Sequence, residues 1–423
     1  MVTEEDGGER RAITHGIILV TRYSTVRVAG LSVIQRTIFA FERAGIHSIA
    51  LVAPCAADRS IAMPMTRSER TRIRWCAPEA LPDDVDGDTL LVLRPVILNA
   101  AAIESLGELG DVANSVLALD TIDRSGTSIA TGAFLIARAA VAEVPRRVAE
   151  AIRGSTWNPA ADAEARVRFP GGVCMPLGPP DGPIDIRVAE KVLLGSLRKK
   201  TDGFLAYWFD RRISTTISRY LVRTRVTPNQ ISVFTFFLTL ISAMLIATPD
   251  ALTSGAGALL FWTTTILDGC DGEVARLKYL ESKQGARLDL LCDNIGLVAL
   301  FLGIIVHVYA NIPHLELLYA GAAIIGGMVA AMVIEYRCIT GPRIRRGRDR
   351  LLTPGEIRRH DLYERLASRD FAYLLPVLAF SGTLSWFVWT VAVGVNLFWI
   401  GLVTIVARKR TTNALSGVTT ELS

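Results

Sequence analysis

The 423-residue sequence predicts a soluble α/β domain over residues 1–198 followed by an α-helical membrane domain of six transmembrane helices over 227–410. Three observations carry this prediction. Half of the residues are hydrophobic and the mean hydropathy is +0.35, too apolar for an ordinary soluble chain, yet 21% of residues are charged, too many for membrane throughout. Apolar stretches of spanning length occur only beyond Thr227. The links between those stretches alternate between Lys/Arg-rich and Lys/Arg-free, as cytoplasmic and external links do.

The N-terminal "MVTEEDGGERRAITHG" is polar and lacks the apolar core of a secretory signal, so the first domain is expected in the cytosol. "GIILVTRYSTVRVAGLSVIQRTIFAFERAGIHSIALVAP" reads as strand, loop, helix, strand, the start of a doubly wound α/β domain. Asp88, Asp120 and Asp123 could serve as ligands but read as surface turn residues. His15, His47 and His360 have no partner at catalytic spacing and read as solvated or structural. The six cysteines have no CxxC or paired spacing, which suggests free thiols in a reducing compartment.

Residues 199–226 place Phe204, Leu205, Trp208, Ile213, Ile217 and Leu221 on one helical stripe, with Arg211, Arg212 and Arg219 elsewhere. That is the pattern of a helix lying on the inner leaflet; the alternative is a soluble helix packed on the first domain. Pro228 then opens the first span at a position where its missing N–H costs nothing. The spans are read as 231–247, 251–267, 288–309, 315–334, 371–387 and 388–407. The link between spans two and three carries Arg276, Lys278, Lys283 and Arg287, and the link over 336–370 is richer still in arginine, whereas the links near 248–254, 310–314 and 381–385 have no Lys or Arg. An even number of spans then puts both termini, including the tail 411–423, on the cytosolic side of the cytoplasmic membrane. The net charge of +5 follows from these flanking arginines, so membrane lipid and not nucleic acid is the expected partner.

Against this apolar background, "DGCDGEVARLKYLESKQGARLDLLCD" is anomalous. Asp268 and Asp271 are three apart and Asp289 and Asp293 four apart, so each pair shares a helix face, at the cytosolic ends of spans two and three. Two such helices facing each other bring four carboxylates to one point, which costs several kcal/mol per charge, roughly, unless cations neutralise them. A pair of divalent cations does so, and an all-oxygen donor set selects hard ions, Mg²⁺ or Mn²⁺. Gly272 and Gly285 open the backbone, Ala275 keeps the same face low, and Arg276 offers a fixed cation to a phosphate, so a nucleoside diphosphate would fit. The alternatives are a salt-bridged hairpin that serves topology alone, or a regulatory cation site or transporter; neither requires the glycines.

Asp268, Asp271, Gly272, Ala275, Arg276, Gly285, Asp289 and Asp293 reproduce the D-x2-D-G-x2-A-R-x8-G-x3-D-x3-D signature. In this, and in the "TPNQIS" before the first span and the six-span layout, the chain resembles the CDP-alcohol phosphotransferases, from about Asp202 to the C-terminus. The resemblance implies a membrane enzyme that moves a phosphoalcohol group from a CDP-alcohol donor to the hydroxyl of an alcohol or polyol-phosphate acceptor and releases CMP. It assigns Asp268, Asp271 and Asp289 to the metals, and Asp293 both to a metal and to the role of base. Gly272, Ala275, Arg276 and Gly285 would shape the CDP pocket.

The first domain, through "VAGLSVIQRTIFAFERAGIHSIALV", "GDTLLVLRPVILN" and "TGAFLIA", is similar to sugar-phosphate and polyol-phosphate nucleotidyltransferases. Such a domain is fused to a CDP-alcohol phosphotransferase in the inositol-phosphate cytidylyltransferase and di-inositol-phosphate-phosphate synthase fusions. Active members hold the triphosphate in a glycine-rich loop with a basic pair, where this chain has only "TRYSTV", and they place a metal-binding aspartate where this chain has Arg94. The domain is therefore expected to be inactive, with any role lying in a homodimer or in shielding the membrane site. The competing expectations are a bifunctional enzyme that also makes its own CDP-alcohol, and a non-catalytic membrane scaffold.

Overall fold

The computed structural model describes residues 13–21, 23–53, 65–77, 87–106, 116–122, 128–138, 165–170, 174–177, 186–197, 209–337 and 371–420. The chain divides into two compact units, Met1–Leu197 and Arg198–Ser423.

The first unit is built on a seven-stranded mixed sheet. Its strands are β1 (Ile13–Leu19), β4 (Ser48–Val52), β5 (Arg72–Cys76), β6 (Asp88–Val92), β8 (Val116–Ile122), β9 (Ser128–Ile136) and β10 (Ala165–Pro170), with β2 (Arg27–Val28), β3 (Leu31–Ser32), β7 (Val96–Leu98) and β11 (Cys174–Pro176) in two-stranded pairs. The sheet order is β10-β8-β9-β6-β1-β4-β5, parallel except where β9 runs against β6 and β8. Central strands covered on both faces need apolar residues in succession, and "GIIL" of β1 shows this: Ile18 enters one cluster with Ile38, Phe41 and Leu90, while Ile17 enters another with Val52, Leu91 and Phe134. Helix α1 (Val33–Arg43) starts at Ser32, whose side chain caps the Gln35 N–H, and α2 (Ala100–Leu106) and α3 (Ile186–Gly195) complete the described helices of this unit.

Two expectations change here. Asp88 and Asp120 are not surface turn residues: both lie within strands and are buried, Asp88 accepting from the Arg138 N–H and Asp120 from the Ser128 hydroxyl. Composition favours turns for aspartate, and the sheet overrides it by supplying donors to the buried carboxylates. Asp123 and His360 lie outside the described residues. His15 and His47 pair with neighbouring threonines, Thr14 and Thr71.

The second unit is helical: α4 (Arg211–Leu221), α5 (Pro228–Ile246), α6 (Ala251–Lys278), α7 (Lys283–Asn311), α8 (Leu315–Glu335), α9 (Phe371–Phe380) and α10 (Leu384–Thr420). Among the described residues, four helices are long and apolar enough to cross a membrane: α5, α7, α8 and the 384–401 part of α10. The charged end of α6 lowers its hydropathy, and α9 is described over only ten residues. The last two spans are read as meeting at 387/388 with the link between them near 381–385; the helices break at Ser381–Thr383, within that link and short of the span boundary. There Gly382 adopts φ +68° and the Thr383 N–H donates to Leu378 O at 3.0 Å. Hydropathy cannot fix the ends of a three-residue turn flanked by apolar residues on both sides. Gly382, which takes a left-handed φ without strain, lets the chain turn there.

The helix starts are legible residue by residue. Thr227 and Gln230 form a reciprocal capping box ahead of Pro228, Asp250 caps the Thr253 N–H at 2.8 Å, and Ser282 caps Gly285 at 2.9 Å. Helix α5 packs on both α6 and α7. At one end of this trio the Ser242 hydroxyl donates to Gly257 O at 2.8 Å, and Gly303 lies directly against the Ala243 carbonyl. Such close approach of small residues is how apolar helices associate where water supplies no driving force.

Within the stretch 199–226, read from sequence as interfacial, a helix runs over Arg211–Leu221, and Phe204, Leu205 and Trp208 lie outside the described residues. Its buried face is polar, Ser214 and Ser218, and Phe209, Ile213 and Tyr220 are exposed. A helix that buries its serines and leaves its aromatic and aliphatic residues outside is suited to a lipid surface.

Candidate functional site

The site is assembled by the α6–α7 hairpin. Helix α6 ends at Tyr279, which takes the left-handed conformation (φ 54°), while the Leu280 N–H returns to Ala275 O at 2.8 Å. The chain restarts three residues later at the Ser282 cap. This short reversal sends α7 back along α6, and because both helices pack on α5 and not on each other, their carboxylates face one another across a gap.

The carboxylates of Asp268, Asp271 and Asp289 meet there, each offering an oxygen within 4.8 Å of the others. Asp271 is the most enclosed: one oxygen accepts from the Ser232 hydroxyl of α5 and the other from the Gly272 N–H. Three carboxylates this close repel one another unless a cation lies among them, and an all-oxygen set suits a hard divalent ion. The residues present therefore fit a divalent metal. Asp293, one turn further along α7, is not in this group of three. It lines a small cavity with Asp268, Thr235, Thr239, Thr264 and Cys292. Cys270 and Cys292 are free thiols.

The remaining signature residues surround the carboxylates. Ala275 is buried on α6. The Arg276 guanidinium folds back over Gly272, with Nη1 3.2 Å from where a Cβ would stand, so any larger residue at 272 would displace it. At Gly285, a Cβ would come within 2.9 Å of the Asn229 Oδ1 from the start of α5. This glycine therefore admits the neighbouring helix as well as keeping the backbone open.

Sequence reasoning missed three residues: Ser232, which holds Asp271; Asn229, which packs on Gly285; and Glu273, which lies between signature positions and is completely buried. The "TPNQIS" segment that opens α5 contains the first two, and its likeness to the family was the available signal. Glu273 gave none, because a glutamate near a helix end ordinarily reads as solvated.

In the first unit the loop after β1 is closed on itself. The Thr21 N–H donates to the Ser24 hydroxyl at 3.0 Å, the Ser24 N–H to Thr21 O at 2.9 Å and the Val26 N–H to Tyr23 O at 3.2 Å. Arg94 donates from Nε to Thr131 O at 2.8 Å and lies over Gly132.

Residues 225–346 match the family model described as CDP-alcohol phosphatidyltransferase. The chain is 41% identical over 117 residues to the bifunctional IPC transferase and DIPP synthase of Thermococcus kodakarensis, which is 27% of this chain and 26% of that protein. It is 31% identical over 172 residues to the same-named protein of Rubrobacter xylanophilus, covering 38% of this chain and 37% of that one. The matched stretch thus spans well under two thirds of either relative. A solved structure of phosphatidylinositol phosphate synthase from Mycobacterium tuberculosis with CDP-DAG bound aligns to 46% of this chain and 94% of that chain, at 22% identity and a TM-score of 0.34. The resemblance read from the eight-position signature is borne out over the matched segment.

Proposed function

We propose that this chain, whose C-terminal unit carries a CDP-alcohol phosphatidyltransferase domain, transfers a phosphoalcohol group from a CDP-alcohol to an acceptor hydroxyl and releases CMP. The observation that carries this reading is the convergence of Asp268, Asp271 and Asp289 from two helices onto one point, with Arg276 and Gly272 beside them. Bound there, divalent cations would polarise the diphosphate and stabilise departing CMP. The chain's own residues do the rest. Asp268, Asp271 and Asp289 hold the metal, Ser232 fixes the carboxylate of Asp271, and Arg276 offers charge to a phosphate. Asp293 faces the cavity from the neighbouring turn, where a carboxylate can take the acceptor's proton. Purified protein assayed for CMP against a panel of CDP-alcohols and acceptors tests this reading. No Mg²⁺-dependent CMP from any pair would refute it.

A second reading, that the first unit makes the CDP-alcohol, is favoured by the two-part names of the curated relatives. Against it, the N–H groups of Thr21, Ser24 and Val26 are spent inside their own loop, leaving them no role in cradling a triphosphate, and Arg94 is pinned at the end of β6, where it would repel a cation. The full chain, supplied with CTP and a polyol phosphate, is expected to release no pyrophosphate. Release that disappears in Asp88→Asn or Asp120→Asn would establish the bifunctional reading instead.

The membrane reading has six spans, α6 and α9 joining the four longer apolar helices, with the aspartates on the cytosolic side. It rests on the Lys/Arg asymmetry of the links. Ala251 and Gln284 are exposed at opposite ends of α6 and α7. A cysteine at Ala251 should react with an impermeant maleimide on intact cells, and one at Gln284 only after lysis. The opposite pattern would invert the topology.

A further inference from the structure

Glu273 is completely buried, and one of its oxygens accepts both from Arg211 Nη1 at 3.0 Å and from the Ser214 hydroxyl at 2.8 Å. Both donors belong to α4, the amphipathic helix ahead of the first span. The Arg211 side chain is itself only 16% exposed. On an α-helix Glu273 stands about 200° round from Asp271, so it occupies the back of α6 while Asp268 and Asp271 occupy the front. A second tie joins the same end of α6 to the chain after α4: Lys278 Nζ donates to Thr224 O at 2.8 Å and to Val226 O at 2.9 Å.

A buried ion pair is a poor device for stability, because desolvating both charges offsets their attraction, and an apolar pair of similar volume does as well or better. What the pair supplies is direction. A guanidinium and a hydroxyl converging on one carboxylate oxygen fix the rotation of α6 about its axis, which apolar packing would leave free by some degrees. The front of α6 depends on that rotation, since Asp268 and Asp271 must face Asp289 of the other helix.

We propose that Glu273, held by Arg211 and Ser214, is a positioning residue: through α4 it sets the rotation at which the two aspartates of α6 meet the third. This rests on the reading of the aspartates as a divalent-cation site. It makes α4 part of the site's support as well as a membrane contact.

The test compares the full-length wild type with the apolar pair Arg211→Met/Glu273→Leu and with Glu273→Gln, which keeps the shape and the serine hydrogen bond. Each is measured for thermal stability, for Mn²⁺ binding by electron paramagnetic resonance, and for the Mg²⁺ dependence of CMP release. The apolar pair should melt within a few degrees of wild type yet bind Mn²⁺ about tenfold more weakly, the usual scale for loss of a group that orients a metal ligand. Its Mg²⁺ half-saturation should rise in parallel, and Glu273→Gln should fall between the two. A folded apolar pair with wild-type Mn²⁺ affinity would overturn the proposal. Should the apolar pair not fold, wild-type Mn²⁺ affinity in Glu273→Gln would overturn it equally. Wild-type protein that binds no Mn²⁺ would instead remove the functional reading on which the proposal stands.

Discussion

Replacing Asp271 by asparagine is expected to abolish the proposed CMP release, a loss of at least about a thousandfold, while leaving the protein folded. The expectation follows from its surroundings: Asp271 is the most enclosed of the three carboxylates, holding the Ser232 hydroxyl with one oxygen and the Gly272 N–H with the other. Asparagine keeps the volume but removes the charge that a hard cation requires, and its amide NH₂ presents donors where acceptors are needed. Asp268→Asn and Asp289→Asn should behave alike, because all three oxygens converge on one point. Cys270→Ala and Cys292→Ala change neither charge nor donor set and should be mild. The measurement is CMP released against Mg²⁺ concentration for each variant in parallel. Near-normal turnover in Asp271→Asn at low Mg²⁺ would show that the carboxylates do not serve as cation ligands.

Substituting Gly303 should damage the fold of the membrane unit far more than any of these aspartate replacements. A Cβ at this position would sit against the backbone carbonyl of Ala243, far inside van der Waals contact. Backbone cannot swing aside as a side chain can, so α5 and α7 would have to separate. Overpacking of this kind costs about 1–3 kcal/mol for a methyl group and more for a branched residue. Gly303→Ala should lower the melting temperature in detergent, and Gly303→Val should prevent recovery of monodisperse protein. A melting temperature in Gly303→Ala equal to wild type would mean that the two helices are not in contact here. Gly326 has no atom near its Cβ position, so Gly326→Ala is a matched control with little expected effect.

What could be read from the chain, and what could not, divides along a physical line. The meeting of Asp268, Asp271 and Asp289 was legible because helical spacing dictates which carboxylates share a face, whereas Asp293, expected at the same point, stands one turn further along α7 outside the group of three. The α/β unit was legible from the apolar succession "GIILV" and the capped helix after it. Pairings between distant elements were not. Ser232 meets Asp271 from 39 residues away, and Arg211 meets Glu273 from 62 away. Neither partner carries a local pattern that announces the other. Asp88 and Asp120 were misread for a related reason: residue type favours turns for both, and the donor that each meets, the Arg138 N–H or the Ser128 hydroxyl, comes from another segment. The final turn lies in the link read near 381–385, but the span boundary drawn at 387/388 ran past it, because Ser381–Thr383 interrupts hydrophobicity only briefly.

The reversal at Tyr279–Ser282 has a consequence for the order of assembly. The carboxylates that define the site lie within the 26 residues from 268 to 293, and the loop between their helices is short, so the chain entropy lost in joining them is small. Both helices pack on α5, which precedes them in the chain. The three helices that carry the site can therefore come together as soon as α7 emerges from synthesis, before α8, α9 and α10 exist. Closing the hairpin is also the step at which the like charges meet, so a divalent cation taken up at that moment would act as a folding ligand for the nascent hairpin before it takes part in any turnover.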